Sequence, residues 1–338
     1  MIIPLKELTF SVRFMEVIEG LLQERHAPLS VLLNALRLTE AQLHDPSQTI
    51  DGEQYQRALV AALPYCLPGQ SVAEQYLTHV PLTIIGPLAS LLMACANLGE
   101  ALEAVEQYCS VLFPAYSMSR EETQDEVRIV VSRLSDFGEV DDLLTEIVLG
   151  LFSKFHSFLA EPLDGVEYHF RHDKGAHPLI LLGDLIRKVH YGARVDMVAY
   201  PKRLMAISLV TKSRVMRKEA ERSLGELLKR DELARPCSQQ VRRVIRDLLV
   251  AGKVLHGDVV ADQVALSRRT LNRRLEDEGS TLASLMTEVR MSFAETLLLT
   301  TTLPVMDIAR LCGFTEMSNF SRAFKRFFGC TPRERRDR

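Results

Sequence analysis

The sequence predicts an α+β N-terminal domain, mostly helical, followed by an all-α domain with two helix-turn-helix motifs joined by a long helix. Three observations carry this. Apolar residues recur at helical spacing along most of the 338 residues. Runs rich in β-branched residues interrupt that pattern at three places in the first two-thirds. The last third holds two related segments, VADQVALSRRTLNRRLEDEG (260–279) and IARLCGFTEMSNFSRAFKRFFG (308–329).

Composition sets the frame. With 47% apolar and 25% charged residues, the chain has the make-up of an ordinary soluble globular protein of about two domains. No basic-then-apolar leader opens it, so a cytoplasmic location is expected. The most apolar run, PLTIIGPLASLLMACA (81–96), is short for a membrane span and contains Pro81 and Pro87, which predicts a buried helix opening near Pro87 and no membrane partner. Six cysteines (Cys66, Cys95, Cys109, Cys237, Cys312, Cys330) form no CxxC pair and no regular spacing, so reduced thiols, several of them in the core, are expected. Residues 1–235 hold 24 Lys and Arg against 32 Asp and Glu, a net of −8, whereas residues 236–338 hold 17 against 12, a net of +5. A basic last third behind an acidic body points to a polyanion partner for the C-terminal part.

In chain order, amphipathic helices are predicted at 10–24, 28–38 and 52–64, then one long helix over 87–113. EVRIVVSRL (126–134) reads as a strand, 140–160 as a helix and GVEYHF (165–170) as a second strand. A helix over 177–192 and a strand over 195–205 complete a domain of residues 1–210. A helical linker spans 211–237, charged from Ser213 to Leu233 and stopped by Pro236. Ser238 is the expected cap of the next helix, and a domain of residues 238–338 follows.

The two segments align closely. Val260, Ala261, Ala265 and Leu266 match Ile308, Ala309, Gly313 and Phe314 at an offset of 48. Leu271 and Leu275 match Phe320 and Phe324 at 49, and Gly279 matches Gly329 at 50. Each segment reads as a short helix, a turn and a second helix, the layout that presents its second helix to a DNA major groove. Expected caps are Asp258 and Ser267 in the first segment and Thr315 in the second, with Pro304 opening the second segment's first helix. Phe320, Phe324, Phe327 and Phe328 form one buried stripe, leaving Ser318, Ser321, Arg322 and Lys325 outward. Carried back by 49, those outward positions become Arg269, Asn272, Arg273 and Glu276. Arginine reads guanine, asparagine reads adenine and serine suits bases or phosphates. Between the segments, LASLMTEVRMSFAETLLLT (282–300) reads as one helix of 19 residues. Its length is roughly 28 Å, against about 34 Å between successive major-groove faces on one side of a duplex.

On these residues the C-terminal third resembles the DNA-binding domain of the AraC/XylS family of bacterial transcription regulators. The carriers are ALSRRTLNRRLEDEG and PVMDIARLCGFTEMSNFSRAFKRFFGCTP, the latter with the I-A-x-x-x-G-F, F-x-R-x-F-K and G-x-x-P elements through Pro332. The resemblance implies seven helices, with recognition helices at about 267–278 and 316–327. It puts Arg269, Asn272, Arg273, Met317, Ser318, Ser321 and Arg322 at the bases, and leaves Arg268, Lys325 and Arg326 for phosphates. Met317 departs from the pattern, since it offers only apolar contact to a thymine methyl. Residues 1–210 look unlike the strand-rich cupin barrel of the arabinose regulator. They are similar to the α+β regulatory domain of ornithine- and arginine-responsive members, through LGEALEAVEQY (98–108). The implied partners are double-stranded promoter DNA, RNA polymerase, a second copy in a homodimer and a small-molecule effector of unknown identity. The implied outcome is usually activation. An N-terminal domain serving only dimerisation or protein interaction is the alternative.

No GxSxG, Walker, GxGxxG or HExxH pattern occurs, so no enzyme activity, catalytic residue or cofactor is expected. His169 alternates along the second strand and His172 and His177 lie in the turn after it, so the cluster reads as a solvated loop rather than a metal site. An effector pocket is expected between the helices at 87–113 and 140–160, with Tyr108, Tyr116 and Arg120 as candidate anchors. A fatty acid, an amino acid such as arginine or ornithine, and a cyclic dinucleotide all stay open.

Overall fold

The computed structural model describes residues 3–155, 158–161, 163–173, 175, 188–234, 237–250, 252, 253, 255–300 and 303–336. The chain divides after Leu228 into two compact units. The first unit begins with strand β1 (Thr9–Ser11) and helices α1 (Met15–Glu24), α2 (Ser30–Leu36) and α3 (Glu40–Leu43). Strand β2 (Thr49–Asp51) pairs antiparallel with β1 and leads into α4 (Gly52–Ala62), α5 (Val72–His79), α6 (Pro87–Ala94) and α7 (Leu98–Leu112). Next come β3 (Tyr116–Glu122), β4 (Glu126–Arg133), α8 (Asp141–Phe155), β5 (Glu167–His169), β6 (Lys188–His190) and β7 (Asp196–Pro201). Helix α9 (Arg214–Ala234) follows, and its first part adds Ala220 and Leu224 to the first unit's core.

Strands β3 to β7 form one sheet in the order β3-β4-β7-β5-β6, antiparallel except for the β5–β6 pair. Alternation along β4 buries Val127, Ile129 and Val131, and register places Tyr200 and Val198 of β7 opposite the first two. Tyr168 of β5 continues this face beyond Val198. Leu102 and Val105 of α7, with Leu144 and Val148 of α8, join the same core. Each such side chain contributes about 1.5–3 kcal/mol by leaving water.

Four expectations need correction here. The long helix at 87–113 is two helices, because residues 95–97 leave helical geometry and the segment 96–98 pairs with 207–209: Leu98 N–H donates to the Ile207 carbonyl at 3.0 Å, and Leu209 N–H to that of Ala96 at 3.2 Å. Asn97 then caps α7 by accepting from Glu100 N–H. The run YSMSREE, not read as a strand, is β3, the hairpin partner of β4. Most of the helix expected over 177–192 lies outside the described residues, but its tail at Lys188–His190 is strand β6. Ser238 does not cap the following helix, which starts earlier, at Cys237. Its cap comes from 40 residues away: the Glu278 carboxylate accepts from the N–H groups of Cys237 (2.6 Å) and Ser238 (2.8 Å).

The second unit is all-α. Its helices are α10 (Cys237–Val250), α11 (Gly257–Gln263), α12 (Arg268–Asp277), α13 (Leu282–Thr300), α14 (Val305–Leu311), α15 (Met317–Phe328) and α16 (Pro332–Arg336). Two separate cores share α13. Leu282, Leu285 and Val289 pack with α10, α11 and α12, while Met291, Ala294 and Leu298 pack with α14 and α15. Both triplets have the spacing i, i+3, i+7, and the second is the first moved on by nine residues. Nine residues make two and a half turns at about 3.6 residues per turn, so the two stripes lie on opposite sides of one helix.

All six cysteines are free thiols. Burial pushes Cys95 up to about 11 and Cys109 and Cys312 to about 12, so these act as small apolar groups. Among the described residues no helix is long and apolar enough to cross a membrane.

The Glu278 cap gives a testable stability effect. Partial burial opposes its charge, but the hydrogen bonds from Ser238 and from the Cys237 and Ser238 N–H groups outweigh this and leave the carboxyl below its ordinary pKa. A depressed carboxyl stabilises the fold above its unfolded value of about 4.3, and that contribution is lost as pH falls through the native value. Glu278→Gln is therefore expected to lower the stability of the second unit by about 1 kcal/mol at pH 7. In urea melts of the full chain, the gap between wild type and variant narrows as pH drops below about 4.

Candidate nucleic-acid interface

The two helix-turn-helix units close with the same backbone bonds. Leu266 N–H donates to Ala261 and Phe314 N–H to Ala309, both at 3.0 Å, while Ala265 and Gly313 donate to Asp262 and Arg310. This is the Schellman closure of a first helix, and it needs a left-handed residue in the turn. Ala265 has φ +53° and Gly313 φ +78° at the corresponding places. Glycine is unstrained there and alanine is not. Leu266 and Phe314, the next residues, tuck onto the two cores.

The helix starts differ from expectation in two places. Ser267 caps α12 as expected, accepting from Thr270 N–H at 3.2 Å. Thr315 does not cap α15. The residue at that position is Glu316, whose carboxylate accepts from Ser318 Oγ at 3.4 Å and caps no backbone N–H, because the second helix-turn-helix unit has one extra residue between its turn and its buried pair. Asp258 sits in the first turn of α11, and the cap there is His256, whose Nδ1 accepts from Asp258 N–H at 3.5 Å. Pro304 precedes α14 as its N-cap.

Leu271 and Leu275 of α12 are fully buried, as are Phe320 and Phe324 of α15. The opposite faces are open. Arg269, Asn272, Arg273 and Glu276 are exposed on α12; Met317, Ser318, Arg322, Lys325 and Arg326 are exposed on α15, and Ser321 is half-buried. Phe327 corrects the four-residue stripe: it is 44% exposed, while Phe328 is covered by the Arg335 guanidinium 5.9 Å from its ring. Asn319 is a residue the sequence reading passed over. Its Oδ1 accepts from Arg322 Nη2 at 2.7 Å and so aims that guanidinium, a link its i, i+3 spacing signals. Arg268 is exposed, but its guanidinium folds back over Gly257, where a Cβ would collide with it.

Helix α13 ties the units together with charges as well as apolar stripes. Glu288 accepts from Arg242 of α10 at 3.1 and 3.3 Å, and Glu295 accepts from Arg335 of α16 at 2.7 Å. Between them Arg290 touches both units. Its Nη2 donates to the Leu255 carbonyl beside α11 at 3.4 Å, and its guanidinium lies 5.7 Å from the centre of the Phe314 ring in the second turn.

In the first unit, cavities of about 40 and 50 Å³ adjoin, with Ile84, Phe113, Val148 and Leu151 in the walls of both. The larger is lined chiefly by α6, α7 and α8 residues. Tyr116 lines the smaller; Tyr108 and Arg120 line neither. Arg120 instead donates to Glu122 at 3.1 Å and lies near Glu103. The expected histidine loop is partly paired: His172 contacts Glu146 at 3.0 Å, and His177 lies outside the described residues. His169 stacks on His190 at 4.5 Å, and together with Glu167 they bring three ligand-type atoms within 4.8 Å. Glu167 is already neutralised by Lys188 at 3.2 Å, so this group is satisfied as an ion-paired cluster.

Comparison with known proteins gives two family matches. A helix-turn-helix domain matches residues 260–338, and the arabinose-binding domain of the AraC transcription regulator, N-terminal, matches residues 27–209. An HTH-type transcriptional regulator of Mycobacterium tuberculosis is 26% identical over 341 residues, covering 98% of this chain and 97% of that protein. The ornithine utilization regulator of Pseudomonas aeruginosa is 25% identical over 336 residues, 96% of each. The xylose operon regulatory protein of Escherichia coli is 32% identical over 106 residues, 31% of this chain and 26% of that protein.

The paired turns yield opposite mutational signs. Ala265→Gly relieves a left-handed alanine and is expected to raise stability by about 0.5–1 kcal/mol, whereas Gly313→Ala lowers it by about 1 kcal/mol or more. Chemical denaturation of the two variants checks both, and equal signs would show that the turns are not equivalent.

Proposed function

The chain belongs to the AraC family of transcription regulators, and on that premise we propose that it is an effector-controlled activator that reads promoter DNA with α12 and α15. The observation that carries this is the shared phase of the two second helices. Each buries a pair at i, i+4 on one side and exposes arginine with asparagine or serine on the other. In this reading Arg269, Asn272 and Arg273 meet bases in one major groove, and Met317, Ser318, Ser321 and Arg322 meet bases in the next. Arg268, Lys325 and Arg326 hold phosphates. The net charge of +5 over residues 236–338, from 17 basic and 12 acidic residues, supports a polyanion partner.

Residues 1–210 act as the regulatory domain, 211–237 as a helical linker and 238–338 as the DNA reader. The regulatory domain binds a small molecule and changes the DNA affinity of the reader. Coupling of about 1–3 kcal/mol is typical of such regulators. The protein works in the bacterial cytoplasm as a homodimer and contacts RNA polymerase at the promoter.

Arg322→Ala is expected to remove about 1–3 kcal/mol of discrimination at one base pair, read as relaxed specificity in one half of the site. Lys325→Ala is expected to weaken all sequences alike and to reduce the slope of log K against log salt by about 0.9. Competition binding with single-base variants of a selected site, repeated across salt concentrations, separates the two. Uniform weakening by Arg322→Ala would make that residue a phosphate ligand.

A further inference from the structure

The ion-paired cluster of Glu167, His169 and His190 has a second capacity, and it starts from the sequence of two short strands. In EYH (β5) and KVH (β6) the middle residue turns to the first unit's core, with Tyr168 fully buried and Val189 half-buried. Alternation therefore places Glu167, His169, Lys188 and His190 together on the other face of the sheet. The strands run parallel in a register that sets His169 opposite His190 and Glu167 opposite Lys188. Phe170 N–H donates to the His190 carbonyl at 2.8 Å and so holds that register at the two histidines. Strand β6 is the edge of the sheet, and the group lies at its rim, half-buried at Glu167 and His169 and exposed at His190.

The side chains converge on one carboxylate oxygen. Glu167 Oε2 lies 3.2 Å from His190 Nε2 and 3.6 Å from His169 Nε2. Ligands held tetrahedrally at about 2.0–2.2 Å from zinc stand about 3.4 Å from one another, so both separations suit a shared ion. One ligand-type atom from each residue lies within 4.8 Å of the other two, and no other group of three His, Cys, Asp or Glu does so among the described residues. Two imidazoles and one carboxylate are a donor set that zinc accepts, with an open position left for water. Lys188 opposes a cation here, because its Nζ sits 3.2 Å from Glu167. It meets Oε1, however, whereas the histidines meet Oε2. Its side chain is 64% exposed, and a surface ion pair of this kind contributes little and yields to a stronger ligand.

We propose that Glu167, His169 and His190 form a binding site for a divalent transition-metal ion of the zinc type, which clips edge strand β6 to β5. The site stands apart from the DNA-reading helices and from the cavities of the first unit.

The test is a calorimetric titration of the full chain with zinc chloride, after chelator treatment and without a purification tag. One saturable site per chain is expected. His190→Ala and Glu167→Gln each remove a ligand and are expected to weaken zinc at least roughly tenfold, the lower end of what loss of an outer-shell partner costs. Lys188→Gln removes the opposing charge without touching a ligand and is expected to tighten binding. Circular dichroism verifies each fold, and should His190→Ala not fold, the isosteric Glu167→Gln decides. Cobalt in place of zinc reports the donors, because thiolate ligands add an intense near-ultraviolet band that imidazole and carboxylate do not. Visible cobalt bands without the thiolate band, and weakened by Glu167→Gln, are expected. Absence of saturable zinc binding, binding indifferent to the ligand variants, weaker binding in Lys188→Gln, or a cobalt thiolate band overturns the proposal.

Discussion

Helix α13 has no single inside face. Leu282, Leu285 and Val289 close one core, and Met291, Ala294 and Leu298 close another on the opposite side. The nine-residue shift between these triplets moves the second stripe about 14 Å along the axis and turns it by about half a revolution. Both helix-turn-helix units depend on this one element, because neither core is complete without it. Truncating a buried leucine of either stripe to alanine typically costs about 2–5 kcal/mol, so errors in α13 reach both reading helices. Arg290, at the crossover between the stripes, adds a polar contact to one unit and a stacking contact to the other. The two glutamates seven residues apart, Glu288 and Glu295, hold α10 and α16 to the same rod.

From that fixed rod the chemistry of the reading helices follows. Burial of Leu271 and Leu275, or of Phe320 and Phe324, leaves only one face of α12 and of α15 free. On both, that free face carries arginine and small polar donors. Rigid presentation matters because a bidentate arginine contact discriminates only when its fork is held in register with the base edge. On α15, Asn319 holds the Arg322 guanidinium in one place. The first unit, by contrast, offers an apolar interior walled by helices and aromatic rings.

Legibility in the sequence tracked the range of the interactions concerned. The turns at Ala265 and Gly313 were readable because their closure is local and occurs twice, with a left-handed residue at matching positions. The long helix was readable from its unbroken apolar content, although its two opposed stripes emerge only with the cores in view. The Glu278 cap was not readable, since its partners lie 40 and 41 residues away. The break between α6 and α7 was hidden for the same reason: residues 96–98 pair with a segment over a hundred positions later, and that pairing overrides a continuous helical period. Thr315 and Phe327 failed on detail: a one-residue shift moves the cap to Glu316, and the end of a helix leaves Phe327 without cover. Tyr116 was found at a cavity wall, while Arg120 is spent on carboxylates beside it.

The most direct test of the central claim, that one rigid helix fixes two readers in successive major grooves, is selection of binding sites by the full chain from a pool of random duplex DNA. The account predicts a bipartite motif whose halves lie about one helical turn, 10–10.5 bp, apart at a single spacing. Two halves recovered at variable spacing, or one short continuous motif, would contradict it.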